Sequence, residues 1–293
     1  MRLLTIVLLF VAATAAGCAT SDREAEGPLR KETIVAVTEG GVLLRFNAGQ
    51  PQKVTTIGTI KGLGANERMV GIDYRVARGV LFGLASSGRL YTIDTKTAEA
   101  RPVGAAPLAI ALAGGEFGFD FNPVVDRIRI VSNTGQNMRA HPDTGASVDG
   151  NATLEGLQAD GELAYATGDK NAGHSPRVVG AGYTYNKQND KITTNYAVDA
   201  TTGALIMQGS KEGATPAVSP NTGQLFTVGS LEVARFQRAG FDISDVNNAA
   251  YASLNHDAAS ATRFYSVDLA TGKATFIGTV GGGELLRGIA IEP

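Results

Sequence analysis

Beyond Glu32 the apolar residues fall in short runs broken by glycine-rich polar stretches, and none repeats at the 3.6-residue spacing of an amphipathic helix. Short runs of this kind predict strands. In the clearest case four follow one another, over residues 69–75, 80–85, 89–94 and 101–104, with turn residues between them. The N-terminus has a different pattern. Met1 and Arg2 lead into an apolar stretch, 3–16, that is shorter than the roughly 20 residues of a bilayer span, which is the layout of a signal peptide.

Sliding the chain against itself by 47 residues brings Gly71-Ile72-Asp73-Tyr74 onto Gly118-Phe119-Asp120-Phe121, Ser87-Gly88 onto Thr134-Gly135 and Thr97 onto Thr144. In the other direction the same shift places Gly41 on Gly88, Leu43 on Leu90 and Phe46 on Ile93. A shift of 174 brings Arg89-Leu90-Tyr91-Thr92-Ile93-Asp94 onto Arg263-Phe264-Tyr265-Ser266-Val267-Asp268. Four-strand units repeated at such a period are the signature of propeller blades. The expected fold is all-β, a five-bladed β-propeller, with copies at 33–60, 69–104, 117–150, 179–229 and 240–280. The first copy lacks its innermost strand. Gly288-Ile289-Ala290-Ile291-Glu292-Pro293 has the form of Gly118-Phe119-Asp120-Phe121-Asn122-Pro123, so the C-terminal strand is expected to complete that blade and close the ring, leaving no open edge. A six-bladed ring is the alternative if residues 151–176 hold further strands.

Charge narrows the partners. With 26 Lys and Arg against 28 Asp and Glu, and no basic run beyond the N-terminus, the electrostatic footprint of a nucleic-acid binder is missing. The one cysteine, Cys18, follows Ala15-Ala16-Gly17 and precedes a polar run, which resembles the lipobox of bacterial lipoproteins. That resemblance implies a signal peptide over 1–17, lipid on Cys18 and an exported, membrane-anchored protein. Ala19 after the cysteine favours the outer membrane, facing the periplasm. Residues 19–32 carry little that could bury surface, so 18–32 reads as the lipidated cysteine and a flexible tether spanning up to about 45 Å, ahead of a propeller domain at 33–293.

The run Gly118-Phe119-Asp120-Phe121-Asn122-Pro123-Val124-Val125-Asp126-Arg127-Ile128-Arg129-Ile130-Val131-Ser132-Asn133-Thr134-Gly135-Gln136-Asn137 is long and specific. With Ala239-Gly240-Phe241-Asp242-Ile243, the segment 263–272 and Leu286-Arg287-Gly288-Ile289-Ala290, it resembles a bacterial family described as domain of unknown function 4394. The resemblance runs from about Thr33 to the C-terminus. It implies an exported propeller and carries no reaction, ligand or cofactor.

Asp73, Asp120 and Asp242 stand at equivalent positions on the innermost strands and are expected to gather near the axis. Three carboxylates there could hold Ca²⁺ or a cationic ligand. The commoner role of a buried strand aspartate is to accept backbone N–H bonds from a neighbour. Asp94, Asp143, Asp199 and Asp268 precede turns and read as turn caps. In the third copy Arg127 and Arg129 replace Val80 and Phe82 of the second, and a buried cation needs a partner. Glu116, Asp120 and Asp126 are the nearest acids for an ion-pair network. The sharper expectation is that Arg127, Arg129 and Arg139, with Asn122, Gln136 and Asn137, line a pocket for an anionic or sugar-like ligand.

His141, His174 and His256 lack zinc-ligand spacing, and neither a Gly-x-Ser-x-Gly elbow nor a phosphate loop is present. No catalytic residue, metal or cofactor is assigned. The sequence reads as a cell-envelope lipoprotein that binds or scaffolds, with a small molecule or an envelope protein as partner besides the membrane. A hydrolase or lyase acting on a sugar or lactone in an axial pocket is the competing class.

Overall fold

The computed structural model describes residues 24–257 and 260–293. Blade one begins with β1 (Thr33–Thr38), β2 (Val42–Asn47) and β3 (Thr55–Thr59). Blade two is β4 (Met69–Arg75), β5 (Val80–Ala85), β6 (Leu90–Ile93) and β7 (Ala100–Pro102). Blade three is β8 (Phe117–Asn122), β9 (Arg127–Ser132), β10 (Asn137–Ala140) and β11 (Ser147–Val148). Blade four takes β12 (Ala164–Tyr165), β13 (Val178–Tyr183), β14 (Asn195–Asp199), β15 (Ala204–Gln208) and β16 (Gln224–Ser230). Blade five is β17 (Arg238–Ile243), β18 (Ala250–Asn255), β19 (Arg263–Val267) and β20 (Ala274–Thr279), and β21 (Leu286–Ile291) follows it.

The ring is five-bladed and closed as the repeat predicts. β21 joins the sheet of blade one antiparallel to β1, with Ile34 opposite Ile291, Val35 opposite Ala290 and Ala36 opposite Ile289. The stretch 151–176 supplies no sixth blade. Its β12 adds a fifth strand to blade four, parallel to β16, with Ala164 opposite Gln224. Each inner strand is flanked by blades on both sides, and so β4 is buried along its whole length, where a sheet with one solvated face would alternate. The core lies between blades. Phe82 of blade two meets Phe121 of blade three edge to face at 5.1 Å, and Phe46 of blade one meets Phe264 of blade five at 5.2 Å.

At the axis the inner strands approach so closely that a methyl group would not fit. A Cβ on Gly118 would stand 2.8 Å from the backbone N and the Cβ of Ala181, and one on Gly71 would stand 2.7 Å from the Cβ of Phe119. Gly180, Gly240 and Gly288 occupy the same position against Phe241, Ile289 and Ile72. Five equivalent glycines thus pack the narrowest point of the ring.

The stretch expected to be a free tether is bound from Glu24 onward. The Glu24 carboxylate accepts the Thr279 N–H at 2.6 Å and its hydroxyl at 2.7 Å, and Gln50 donates to the Gly27 carbonyl at 2.8 Å. Arg30 lies over the Tyr251 ring, 5.5 Å from its centroid, and Glu32 accepts the Tyr251 hydroxyl at 2.8 Å. These residues therefore strap the seam between blades five and one. The expected signal peptide, 1–17, and Cys18 lie outside the described residues.

The turn aspartates divide. Asp94 accepts the N–H groups of Lys96 and Thr97, and Asp268 those of Ala270 and Thr271, as caps do. Asp199 caps Thr201 and also accepts the Tyr165 hydroxyl. Asp143 is not a cap: His141 stands at the capping position, its Nδ1 accepting the Asp143 N–H at 3.2 Å. The Asp143 carboxylate instead pairs with buried Arg75 at 2.5 Å.

Candidate axial site

Two residues beyond each axial glycine, the inner strands carry Asp73, Asp120, Gly182, Asp242 and Ala290. The three carboxylates converge, with ligand-capable oxygens all within 4.8 Å of one another and each residue buried. They also perform the expected structural role. Asp73 Oδ2 accepts the Phe121 N–H at 2.8 Å, Asp120 Oδ1 the Tyr183 N–H at 3.1 Å and Asp242 Oδ2 the Ile291 N–H at 2.5 Å, each in the following blade. Asp242 Oδ1 takes the Ile243 N–H at 2.6 Å, and the Tyr74 N–H bonds to Asp73. One inward N–H from every blade thereby finds a carboxyl oxygen.

Those donors do not neutralise the cluster. The aspartates line a blind axial well of about 40 Å³, walled by Tyr183, Tyr185, Pro123 and Ile291, and no basic side chain faces it. Burial pushes Asp73 up, well above the carboxylate range, with the Asp242 charge adding to it. Asp120 is raised in the same way by burial and then by Asp73 and Asp242. Asp242 is pushed up to about 7 by burial, against the opposing hydrogen bonds of the Ile291 and Ile243 N–H groups. Three carboxyls this close hold protons in common or share a cation.

The well opens into a vestibule of about 450 Å³ on the same face, and Val76, Phe121, Pro123, Tyr185 and Asp245 belong to both. The vestibule is mixed in character: Arg75 and Lys187 face Asp126 and Asp190, and Val76, Val124 and Val246 supply apolar surface. Neither lining contains Ser, Cys or His. The opposite end of the axis is crossed by Arg287 and Arg238, which pair with Glu39 and Glu116.

Of the six residues expected to form an anion pocket, Arg129, Arg139 and Asn137 are brought together, and Arg127, Asn122 and Gln136 are not. Arg129, 2 % exposed, donates to Asp160 at 2.5 Å, to Asn137 at 2.8 Å, to Asn221 at 2.5 Å and to the Tyr183 hydroxyl at 3.2 Å. Arg139 clasps the same Asp160 with two bonds of 2.8 Å. Arg129, Arg139 and Asn137 therefore form a structural network around Asp160. Arg127 turns instead to the carbonyls of Val125 and Asp126, Asn122 caps the Val124 turn, and Gln136 ties down the 111–113 loop. The partner acid also differs from the expected ones. Glu116 serves Arg287 and Arg238, Asp126 serves Arg75 and Asp120 faces the axis. Asp160 sits in the long insertion after the third copy, where no repeat register could place it.

The model of a family described as Domain of unknown function (DUF4394) matches residues 42–290. No curated protein matches the chain. Among solved structures, a chain of a nidogen/laminin complex is similar with TM-score 0.46 and 14 % identity, over 89 % of this chain and 98 % of that one. A putative 6-phosphogluconolactonase from Bacteroides uniformis is similar with TM-score 0.40 and 15 % identity, over 85 % and 82 %. YCF48 from Cyanidioschyzon merolae is similar with TM-score 0.39 and 12 % identity, over 85 % and 71 %.

Proposed function

We propose that this chain, which belongs to the DUF4394 family, is an exported lipoprotein that binds a small ligand at the axial mouth and seats a cationic group of that ligand among Asp73, Asp120 and Asp242. The supporting observation is the electrical imbalance of the well: three buried carboxyls within 4.8 Å, served by backbone N–H groups, with no basic side chain among its lining. A cation relieves that repulsion, and the well has the volume of one ammonium or metal ion while the vestibule accommodates the rest of a small molecule. Neither lining contains the Ser, Cys or His of a Ser–His or Cys–His pair, and the three carboxyls are engaged by backbone N–H groups, which is why holding is preferred here to turnover.

The reading is tested by thermal denaturation near pH 8 with Ca²⁺, with 1,5-diaminopentane and, as the control of opposite charge, with glutarate. A cation should raise the melting temperature and glutarate should not, and Asp120→Asn should remove the gain. If no cation shifts the transition, or the shift survives in Asp120→Asn, the axial reading fails. Ca²⁺ acting alone would identify the occupant as a metal.

A further inference from the structure

Beside the axial mouth, blade four carries a second concavity of about 320 Å³, set between the loop after Tyr183 and the loop after β15. Its lining includes Tyr183, Lys191, Asn195, Gln208, Ser210 and Lys211. Asn195 is 2 % exposed, and its amide nitrogen donates to Gln208 Oε1 at 3.1 Å. Its Oδ1 is buried and accepts no hydrogen bond. Exchanging the amide O and N would set two carbonyl oxygens against each other. Gln208 cannot supply the missing donor, because its own amide nitrogen is given to Asn137 Oδ1 at 2.9 Å and to the Pro220 carbonyl at 2.8 Å. A buried amide oxygen left in this state costs stability, and a ligand hydroxyl entering the cleft would satisfy it.

The mouth of the cleft carries a second uncompensated feature. Lys191 and Lys211 are exposed, and neither side chain has an ion-pair partner among the described residues. The acid beside them, Glu212, is engaged with the Thr184 hydroxyl at 3.1 Å and the Asn186 amide at 2.9 Å. Two exposed ammonium groups against the single carboxylate of Glu212, over an amide floor, favour a ligand with hydroxyls at one end and negative charge at the other.

We propose that this cleft binds an anionic sugar, with a hydroxyl donating to Asn195 Oδ1 and a phosphate or carboxylate held by Lys191 and Lys211. The site is independent of the axial well and of opposite charge preference. Tyr183 stands between them, lining both, with its N–H on Asp120 and its hydroxyl on Arg129. A ligand whose charge suits one site would be repelled by the charged groups of the other.

Isothermal titration of the whole folded protein with D-glucuronate, D-glucose 6-phosphate and D-glucose at low salt decides the matter. At least one anionic sugar should bind saturably, about tenfold or more tighter than glucose, and the better of the two fixes the anion as carboxylate or phosphate. Replacing the two exposed lysines together, Lys191→Met with Lys211→Met, should weaken that binding at least about tenfold without altering the circular dichroism spectrum. Asn195→Ser should weaken all three sugars. Absence of saturable binding by either anionic sugar up to about 10 mM, or binding unchanged in the lysine variant, overturns the proposal. The axial test reads a different ligand charge and a different variant, so either reading can fail alone.

Discussion

Asp73 of blade two accepts the backbone N–H of Phe121 in blade three at 2.8 Å, and this bond joins two blades at the point where three carboxyls crowd together. The arrangement satisfies the inward-facing backbone and at the same time stores negative charge where water is scarce. Its energetics must therefore depend on pH.

In protein freed of bound cations, stability is expected to fall as pH rises. The folded-state pKa of Asp242 is raised from 3.8 to about 7, and Asp73 and Asp120 are raised well above the ordinary value. Between about pH 4 and about pH 7 for Asp242, and likewise above the ordinary carboxylate range for Asp73 and Asp120, the folded state retains protons that the unfolded chain has released, so the contribution is greatest on the acid side and is lost as pH climbs. Melting temperatures at about pH 5 and about pH 8 should differ in that direction. Asp120→Asn, whose Oδ1 can still accept the Tyr183 N–H, should reduce the slope; an identical slope would show that the cluster does not titrate.

Arg129→Met is expected to lower stability by about 1–3 kcal/mol, because Asn221 loses its donor and Asp160 keeps only Arg139. Arg139, with a more exposed side chain on the same carboxylate, should cost less when replaced by Met. Urea titrations of both variants give the comparison. Equal losses would mean that Asp160 is held by geometry other than the Arg129 bond.

Gly118→Ala should cost about 1–3 kcal/mol through overpacking at the axis, where its Cβ would meet Ala181 at 2.8 Å. Gly115→Ala, three residues earlier and with nothing within 4 Å of the added carbon, should leave the melting temperature nearly unchanged. A reversed order would remove close approach as the reason for glycine at this position.

Cys18→Ser is expected to move the protein from the membrane to the soluble fraction when expressed in a host with lipoprotein processing. Fractionation with mass spectrometry of the N-terminus reads both acylation and the processed start. A variant that stays in the membrane would refute the lipid anchor.

The blades and the axial aspartates were legible because the repeat is almost free of gaps between copies two and three, so that one register carries Asp73 onto Asp120 and predicts that they share an axis. Closure was legible for the same reason, since a copy lacking its first strand needs one from elsewhere. What escaped lies where the copies diverge. Asp160 and Asn195 come from the insertion and the degenerate fourth blade, and nothing in their local sequence says that they meet Arg129 and Gln208. Arg129 stands out in the sequence as a cation at a strand position that its sibling copy fills with Phe82. Its neighbours in sequence are not its partners, because the ring brings in residues such as Asn221 of blade four.

The pairing of β1 with β21 also fixes the order in which the molecule can be completed. A chain that crosses a membrane or leaves a ribosome from its N-terminus presents β1 first, and that strand must wait, one edge unpaired, until β21 has emerged. Four blades can assemble in the meantime, but the first cannot. The Glu24–Glu32 strap is held to the same seam, on blade one through Gln50 and Asn47 and on blade five with Glu24 on Thr279 of β20 and Glu32 on Tyr251 of β18, so that second set of bonds forms only once blade five exists. Closure of the ring therefore waits for β21, the last of its strands in chain order.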